Sequence, residues 1–328
     1  MSQAVFQLAV AHLAGEEGSP FESKFHLFAA GRWPLCIVGS SLILLQRRGS
    51  MSSYAAPSRT VGRLKRPFGN LYYEVSGNGP AVIFAHGLGG NHLSWWQQVA
   101  HFAPRYTCVT FAHRGFAPSD PVAGGVDPAD YPGDLAALID HLGLSDVRLV
   151  AQSMGGWTML EYALAHQDHV KALVLSSTSG TLDRRGSDPS GGTAYDAWST
   201  SSEATIAAGL ARGIHPAMGE RAAERFPALH LLYRSIDEMA GALNKEKLRA
   251  GLRRTATRTL ADLTTFRVPT LLIAGGEDVV FPPFLASAIA TSLPCGHAET
   301  IDDAGHSPYF EQAARFNALV DAFLARPR

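Results

Sequence analysis

The sequence predicts an α/β protein, a doubly wound and mostly parallel sheet with a helical cap inserted between two of its strands. Short apolar segments without polar alternation, such as residues 170–176 (VKALVLS), are typical of strands that are covered on both faces. These segments alternate with segments of helical periodicity, such as residues 134–142 (DLAALIDHL), as a parallel sheet requires. The alternation stops between residues 180 and 265, where only helical patterns occur, and then resumes.

Composition excludes several classes of protein. The 328 residues contain 28 Lys and Arg against 29 Asp and Glu, a formal net charge of −1, so nothing favours a nucleic acid or an anionic membrane as partner. The three cysteines, Cys36, Cys108 and Cys295, form no CxxC pair, which excludes a disulfide scaffold and a cysteine zinc site. We therefore expect a cytoplasmic protein.

The first fifty residues differ from the rest of the sequence. Their longest apolar run, residues 35–45, has 11 residues, fewer than the ~20 that cross a bilayer. Arg47 and Arg48 follow it in place of the small residues of a signal-peptide cleavage site. We predict that residues 1–60 are a poorly ordered N-terminal extension. An uncleaved membrane anchor, or a translation start at Met51, remains open as an alternative.

The remaining elements follow from the apolar pattern in chain order. The predicted core covers residues 61–179 and 266–328, and the predicted cap covers residues 180–265. Strands are predicted at residues 71–77, 81–87, 106–112, 147–151, 170–176, 268–274 and 298–301. Helices are predicted at residues 134–142, 155–166, 203–212, 236–254 and 309–325.

Ser153 lies at a predicted junction of strand and helix, in the segment 150–156 (VAQSMGG). A sharp turn there would lift the serine hydroxyl above the sheet, at the start of the helix. The residues two before and two after must be small, because strand and helix nearly touch, and Ala151 and Gly155 meet that need. The pattern is common by chance, so a small core residue is the alternative interpretation of Ser153.

A glycine-rich loop, residues 86–90 (HGLGG), follows the predicted strand AVIFA. In hydrolases such a loop presents a backbone N–H to the oxyanion of a tetrahedral intermediate, and the residue after the nucleophile supplies the second donor. Leu88 and Met154 are therefore the candidates for an oxyanion hole. A plain glycine-rich turn is the alternative. Neither the GxxxxGK[ST] phosphate loop nor a GxGxxG dinucleotide fingerprint occurs at this site.

Two further loops supply an acid and a base. Asp278 follows the apolar segment TLLIA, and His306 lies on the loop before the last helix. A serine hydroxyl needs an adjacent imidazole to accept its proton, and a carboxylate orients that imidazole. Glu277 is the alternative acid, and an exposed acid of a turn is the alternative interpretation of Asp278. The order Ser153, Asp278, His306 is typical of this arrangement.

With these four features the sequence, from about residue 71 to 325, resembles the α/β-hydrolase superfamily. The resemblance is closest to its capped serine esterases, lactonases and carbon–carbon bond hydrolases. It implies a nucleophile, an acid, a base and two oxyanion-hole amides, which are in order Ser153, Asp278, His306, Leu88 and Met154.

Three residues depart from the superfamily pattern. Ala151 replaces the first glycine of GxSxG, which is sterically tolerable. The segment 111–119 resembles the loop D-x-R-G-x-G-x-S, with His113 in place of the aspartate and Ala117 in place of the second glycine. Because that loop is mainly structural, the departures affect the choice of subfamily more than the triad.

The resemblance implies hydrolysis of a carboxylic ester or lactone through an acyl-enzyme on Ser153, with no metal or organic cofactor. The expected partner is a small ester or acyl substrate; we expect no membrane partner, and a homo-oligomer is left open. Three alternatives remain: a carbon–carbon bond hydrolase of a dienoic diketone, a cofactor-free perhydrolase and a slow-turnover ligand receptor. Carbon–carbon hydrolases often carry tryptophan after the catalytic histidine, where Ser307 stands in this sequence.

Large apolar side chains of the cap and the core loops are candidates for a substrate pocket, although cap core is an alternative role for most of them. The candidates are Tyr195, Trp198, Met218, Phe226, Tyr233 and Met239 in the cap, and Trp95, Trp96, Trp157 and Tyr309 in the core loops.

Overall fold

The computed structural model describes residues 36–38, 41–43, 57–241 and 243–326. The chain divides into two units, residues 1–55 and residues 56–328. In the first unit, β1 (Cys36–Val38) pairs antiparallel with β2 (Ser41–Ile43). The predicted poorly ordered extension, residues 1–60, lies mostly outside the described residues. Its last two residues belong to a strand that begins at Arg59, so the predicted boundary at residue 60 is too late.

The second unit contains an eight-stranded sheet. Its strands are β3 (Arg59–Arg66), β4 (Gly69–Ser76), β5 (Ala81–Ala85), β6 (Thr107–Phe111), β7 (Val147–Gln152), β8 (Val170–Ser176), β9 (Thr270–Gly275) and β10 (Gly296–Ile301). Their order is β10-β9-β8-β7-β5-β6-β4-β3. Strand β4 pairs antiparallel with both β3 and β6, and the other five pairs of neighbouring strands are parallel, so the predicted mostly parallel α/β fold is confirmed.

Helices cover both faces of the sheet. The α-helices are α1 (Trp96–Phe102), α2 (Tyr131–His141), α3 (Gly155–Ala165), α4 (Thr193–Ala211), α5 (Glu220–Arg225), α6 (Pro227–Glu238), α7 (Lys245–Thr255), α8 (Phe284–Ser292), α9 (Pro308–Glu311) and α10 (Ala313–Leu324). Helices α2, α3 and α8 bury apolar side chains in one core cluster, while α1 and α10 bury theirs in another. None of the helices in the described part of the chain combines the length and apolar character of a membrane crossing.

Two predicted helices are each divided in two. The single helix predicted at residues 236–254 is wrong: α6 ends at Glu238 and α7 begins at Lys245. Gly241 adopts a positive φ of 54° between them, and the Asn244 side chain caps α7 by accepting from the Lys247 amide at 2.8 Å. The helix predicted at residues 309–325 is interrupted at Gln312, whose φ of −126° is not helical.

The segment between residues 180 and 265, called the insertion from this point, leaves and rejoins the core at one place. Glu161 on α3 accepts two hydrogen bonds from the Arg258 guanidinium, at 2.5 and 2.6 Å, and one from the Thr181 hydroxyl at 2.5 Å. A bridge between Leu182 and Arg258 joins the two ends directly. Since both ends are bound to α3, the helices α4–α7 are anchored to the helix that begins beside Ser153.

A buried pair of histidines joins the glycine-rich loop, which carries His86, to the loop where the sequence departs from the superfamily pattern, which carries His113. The His86 Nδ1–H donates to the Gly87 carbonyl at 2.8 Å, and its Nε2 accepts from the His113 amide at 3.0 Å. His113 Nε2 lies 2.8 Å from the Thr158 hydroxyl. Burial lowers the pKa of His86 to about 3 and that of His113 well below its usual value, so both rings stay neutral. His113 thus replaces a charged aspartate with a neutral hydrogen-bonding group.

These two imidazoles make stability depend on pH. Their pKa is lower in the folded chain than the ordinary value of 6.5, so the unfolded chain binds more protons below that pH. Their contribution to the free energy of unfolding is complete above about pH 6.5 and decreases as the pH falls. Between about pH 6.5 and 5 we expect the wild type to lose about 1.5 kcal/mol more than His113→Asn. Urea unfolding at each pH measures the difference, and identical pH profiles would contradict it.

Candidate active site

Ser153 occupies the turn between β7 and α3 and has a positive φ of 48°, which only a strongly constrained turn imposes on a serine. Its amide donates to the Ser176 carbonyl of β8 at 3.0 Å. A Cβ at Gly155 would collide with the Ala85 carbonyl at the end of β5, and one at Gly156 would collide with Thr178. The glycines after the serine therefore let α3 start against the sheet, with Ser153 at the apex.

His306 and Asp278 are brought together from two loops. The imidazole Nδ1 lies 2.9 and 3.0 Å from the two carboxylate oxygens of Asp278, and both residues are buried, each with 3% of its surface exposed. Asp278 Oδ1 also accepts from the amides of Val280 and Phe281, at 2.7 and 2.8 Å. The carboxylate is thus fixed on its own loop before it meets the histidine, and it holds Nδ1 as the protonated nitrogen.

Glu277, the alternative acid, points elsewhere. Its carboxylate accepts from the Arg221 guanidinium of the insertion at 2.7 Å and is partly exposed. Its backbone amide donates to the Ala304 carbonyl at 2.9 Å. Adjacent acids therefore have different surroundings, and of the two it is Asp278 that contacts His306.

Ser153 and His306 open into the same cavity, of about 570 Å³. Gln152, the residue before the serine, donates from its side chain to the His306 carbonyl at 2.9 Å, which ties the histidine loop to the end of β7. Within the described chain no hydrogen bond joins the Ser153 hydroxyl to His306. The two side chains thus share one cavity but are not in direct hydrogen-bond contact.

Leu88 and Met154 line this cavity next to the serine. Neither backbone N–H donates a hydrogen bond to any described residue, which is the state expected of groups that bind an external acceptor. Gly87 lies so close to Gln152 that a Cβ there would collide with its side chain. A Cβ at Gly89 would meet the Tyr233 hydroxyl of α6 at 2.8 Å. The glycine-rich loop is thereby held between the serine turn and the insertion.

The large apolar candidates for the substrate pocket divide among the cavity wall, the core and the exposed surface. Those that line the cavity are Tyr195, Trp198 and Tyr233 from the insertion and Trp157 from α3. The Trp157 indole donates to the Leu252 carbonyl of α7 at 3.1 Å, so this ring is fixed against the insertion. The others are either buried in the core (Trp95, Tyr309, Met218) or exposed (Trp96, Phe226, Met239).

No three His, Cys, Asp or Glu side chains lie close enough together, in the part of the chain that the structure describes, to hold a metal ion. The chemistry that this site can perform with its own groups is proton transfer by His306 and attack by Ser153. The amides of Leu88 and Met154 can stabilise a negative oxygen beside them.

Glu311 holds the histidine loop and was not found by sequence reasoning. Its carboxylate is 4% exposed and accepts from three amides: Gly305 at 2.8 Å and Ser307 at 3.0 Å, on either side of His306, and Gly219 of the insertion at 3.0 Å. Burial raises its pKa to about 7, although the three N–H groups oppose that shift. An acid in the apolar segment 308–311 (PYFE) is the signal that the sequence offered.

Comparisons with known proteins identify the family to which this fold belongs. A family model described as the alpha/beta hydrolase fold matches residues 80–313. A putative non-heme bromoperoxidase BpoC of Mycobacterium tuberculosis is 30% identical over 271 residues, which are 78% of this chain and 98% of the relative. A 3-oxoadipate enol-lactonase of Acinetobacter baylyi is 24% identical, over 77% of this chain and 92% of the relative. A thermophilic esterase of Thermogutta terrifontis superposes with a TM-score of 0.63 at 24% identity, over 81% and 98% of the two chains.

Replacing Glu311 with glutamine should destabilise the protein. An amide cannot accept at both ends, so at least one of the three backbone N–H groups loses its partner, at a cost of about 2 kcal/mol. Urea unfolding at about pH 8, where the wild-type carboxyl is ionised, measures the loss. Glu299→Gln, at an exposed position of β10, is the matched control. Equal stability of the two variants would show that the three hydrogen bonds contribute nothing.

Proposed function

The chain belongs to the family with the alpha/beta hydrolase fold, and we propose that it is a serine hydrolase that cleaves a carboxylic ester or lactone through an acyl-enzyme on Ser153. One observation carries the proposal. The bond between His306 Nδ1 and Asp278 leaves Nε2 as the basic nitrogen, in the cavity into which the constrained turn presents Ser153.

In the first half of the reaction, the Ser153 hydroxyl attacks the carbonyl carbon of the substrate while His306 Nε2 accepts its proton. The imidazolium that forms is stabilised by Asp278, which is already fixed by two backbone amides. The oxygen of the tetrahedral intermediate becomes negative and accepts from the amides of Leu88 and Met154. His306 then returns the proton to the leaving alcohol or, in a lactone, to the ring oxygen.

In the second half, a water molecule attacks the acyl-enzyme and His306 again accepts the proton. The same two amides stabilise the second oxyanion, and when it collapses to the acid, His306 returns the proton to Ser153 Oγ and frees the hydroxyl. The insertion acts as a cap that shapes the acyl pocket with Tyr195, Trp198 and Tyr233. The named activities of two relatives, an esterase and an enol-lactonase, support both bond types.

A cofactor-free perhydrolase is the second candidate, because the relative at 30% identity is described as a putative bromoperoxidase. In that reaction hydrogen peroxide attacks the acyl-enzyme in place of water and leaves as a peracid. Halide oxidation that requires both peroxide and a carboxylic acid would support it. Ester hydrolysis without halide oxidation would show that water, and not peroxide, accepts the acyl group.

Replacing Ser153 with alanine should abolish turnover of p-nitrophenyl esters, by about 10⁴-fold or more, because the nucleophile is lost. The unfolding midpoint should change little, since the hydroxyl makes no hydrogen bond to the described residues. The dependence of the rate on acyl chain length, across a panel of such esters, also measures the size of the acyl pocket. Ser201→Ala, at an exposed position of α4, is the control. If Ser153→Ala keeps a tenth of the wild-type rate, Ser153 is not the nucleophile.

Asp278→Asn should lower kcat on the order of 10³-fold, because an amide can hold the histidine with the wrong nitrogen protonated. Glu277→Gln should change kcat by less than about threefold, since it loses only a partly exposed ion pair with Arg221. Steady-state kinetics on one ester compare the two variants. The reverse ranking would move the acid to Glu277.

A further inference from the structure

Arg184, in the first part of the insertion, lines the cavity and is partly buried. Its Nη1 donates to the Val280 carbonyl at 2.9 Å, and its guanidinium lies 5.5 Å from the centre of the Phe281 ring. Val280 and Phe281 are the residues whose amides bind Asp278. The guanidinium is therefore fixed on the loop that carries the acid, at the wall of the cavity that Ser153 shares.

No carboxylate of the described residues forms an ion pair with Arg184. Asp278 is occupied by His306 and two amides. The neighbouring Arg185 differs, because it is exposed and binds Asp196 at 2.9 Å. Apart from the hydrogen bond to Val280, the N–H groups of Arg184 make no hydrogen bond to the described residues.

The other charged side chains of the cavity have partners or are exposed. Asp237 binds Lys245 at 2.7 Å. Arg249 is exposed and pairs with Glu246. The remaining charged groups of the wall are exposed: Arg253, Asp183 and Glu203. Arg184 is thus the one partly buried cation of the described cavity wall that has no anionic partner.

A guanidinium that is partly withdrawn from water is destabilised unless an anion compensates its charge. Its fixed planar fork of donors matches a carboxylate, which it can bind through two parallel hydrogen bonds. Stacking on Phe281 and one bond to Val280 orient the fork without neutralising its charge.

We propose that Arg184 binds a carboxylate of the substrate, so that the protein cleaves esters or lactones that carry a free carboxylate away from the scissile bond. This inference rests on the proposed function and names the substrate class of the same site. A purely structural role of Arg184, as a tether between the insertion and the Asp278 loop, is the competing explanation. The two roles differ in one respect, because a tether serves charged and neutral substrates equally.

The test compares two substrates of the same acyl chain length: mono-4-nitrophenyl adipate, which carries a free carboxylate, and methyl 4-nitrophenyl adipate, in which a methyl ester replaces that carboxylate. The measured quantity is the ratio of kcat/KM for the two. We expect the wild type to prefer the charged substrate and Arg184→Met to lower the ratio by about 10- to 100-fold. Arg185→Met, which removes the neighbouring exposed arginine, should leave the ratio unchanged. Arg184→Lys, which keeps the charge without the fork, should fall between wild type and Arg184→Met.

A binding measurement separates this inference from the proposed function. Titration calorimetry of adipate with Ser153→Ala should show binding that Arg184→Met, added to the same variant, weakens by about tenfold or more. If Arg184→Met lowers kcat/KM equally for both esters, the carboxylate site is overturned and the serine mechanism stands. Adipate binding through Arg184 without hydrolysis of either ester would overturn the mechanism and keep the anion site.

Discussion

The close approach of β5, β7 and α3 around Ser153 is the constraint on which the rest of the structure depends. Gly155 has no room for a Cβ beside the Ala85 carbonyl, and Ser153 takes up the tight turn with a positive φ. The same approach places the Met154 amide and the loop of Leu88 at one end of the sheet, with free N–H groups. The carboxyl ends of parallel strands meet at that end, so loops from β9 and β10 bring Asp278 and His306 to it.

The insertion is bound to this centre at several points. Glu161 joins both of its ends to α3, and Trp157 donates to Leu252 of α7. Glu311 joins Gly219 of the insertion to the two residues that flank His306. Because one buried carboxylate binds both the insertion and the histidine loop, a shift of the insertion would disturb that loop. Cavity shape and histidine position are therefore coupled by hydrogen bonds.

The parts of the fold that the sequence could predict are those that local patterns determine. The largely apolar segment Val170–Ser176 has the strand boundaries that the sequence predicts. Strand β3 (Arg59–Arg66) was missed because it is a charged edge strand with little apolar pattern. The break between α6 and α7 depends on Gly241 and the cap at Asn244, which interrupt a segment of helical periodicity.

The candidate site divides in the same way. Local motifs and their order along the chain predicted Ser153, Asp278 and His306 as site residues. The structure places the acid and the base in contact, and their catalytic roles stay predictions. Glu311 and Arg184 escaped notice because their importance comes from contacts with residues far along the chain, Gly219 and Val280, which no local pattern reveals.

The acyl-enzyme itself provides the most direct test of the central claim. Rapid quenching of the reaction with a slowly hydrolysed ester, followed by digestion and mass spectrometry, should find the acyl group on Ser153. Its amount should rise before the acid product appears and fall as the ester is exhausted. Turnover without an adduct on Ser153, or with the acyl group on another side chain, would contradict the proposed serine mechanism.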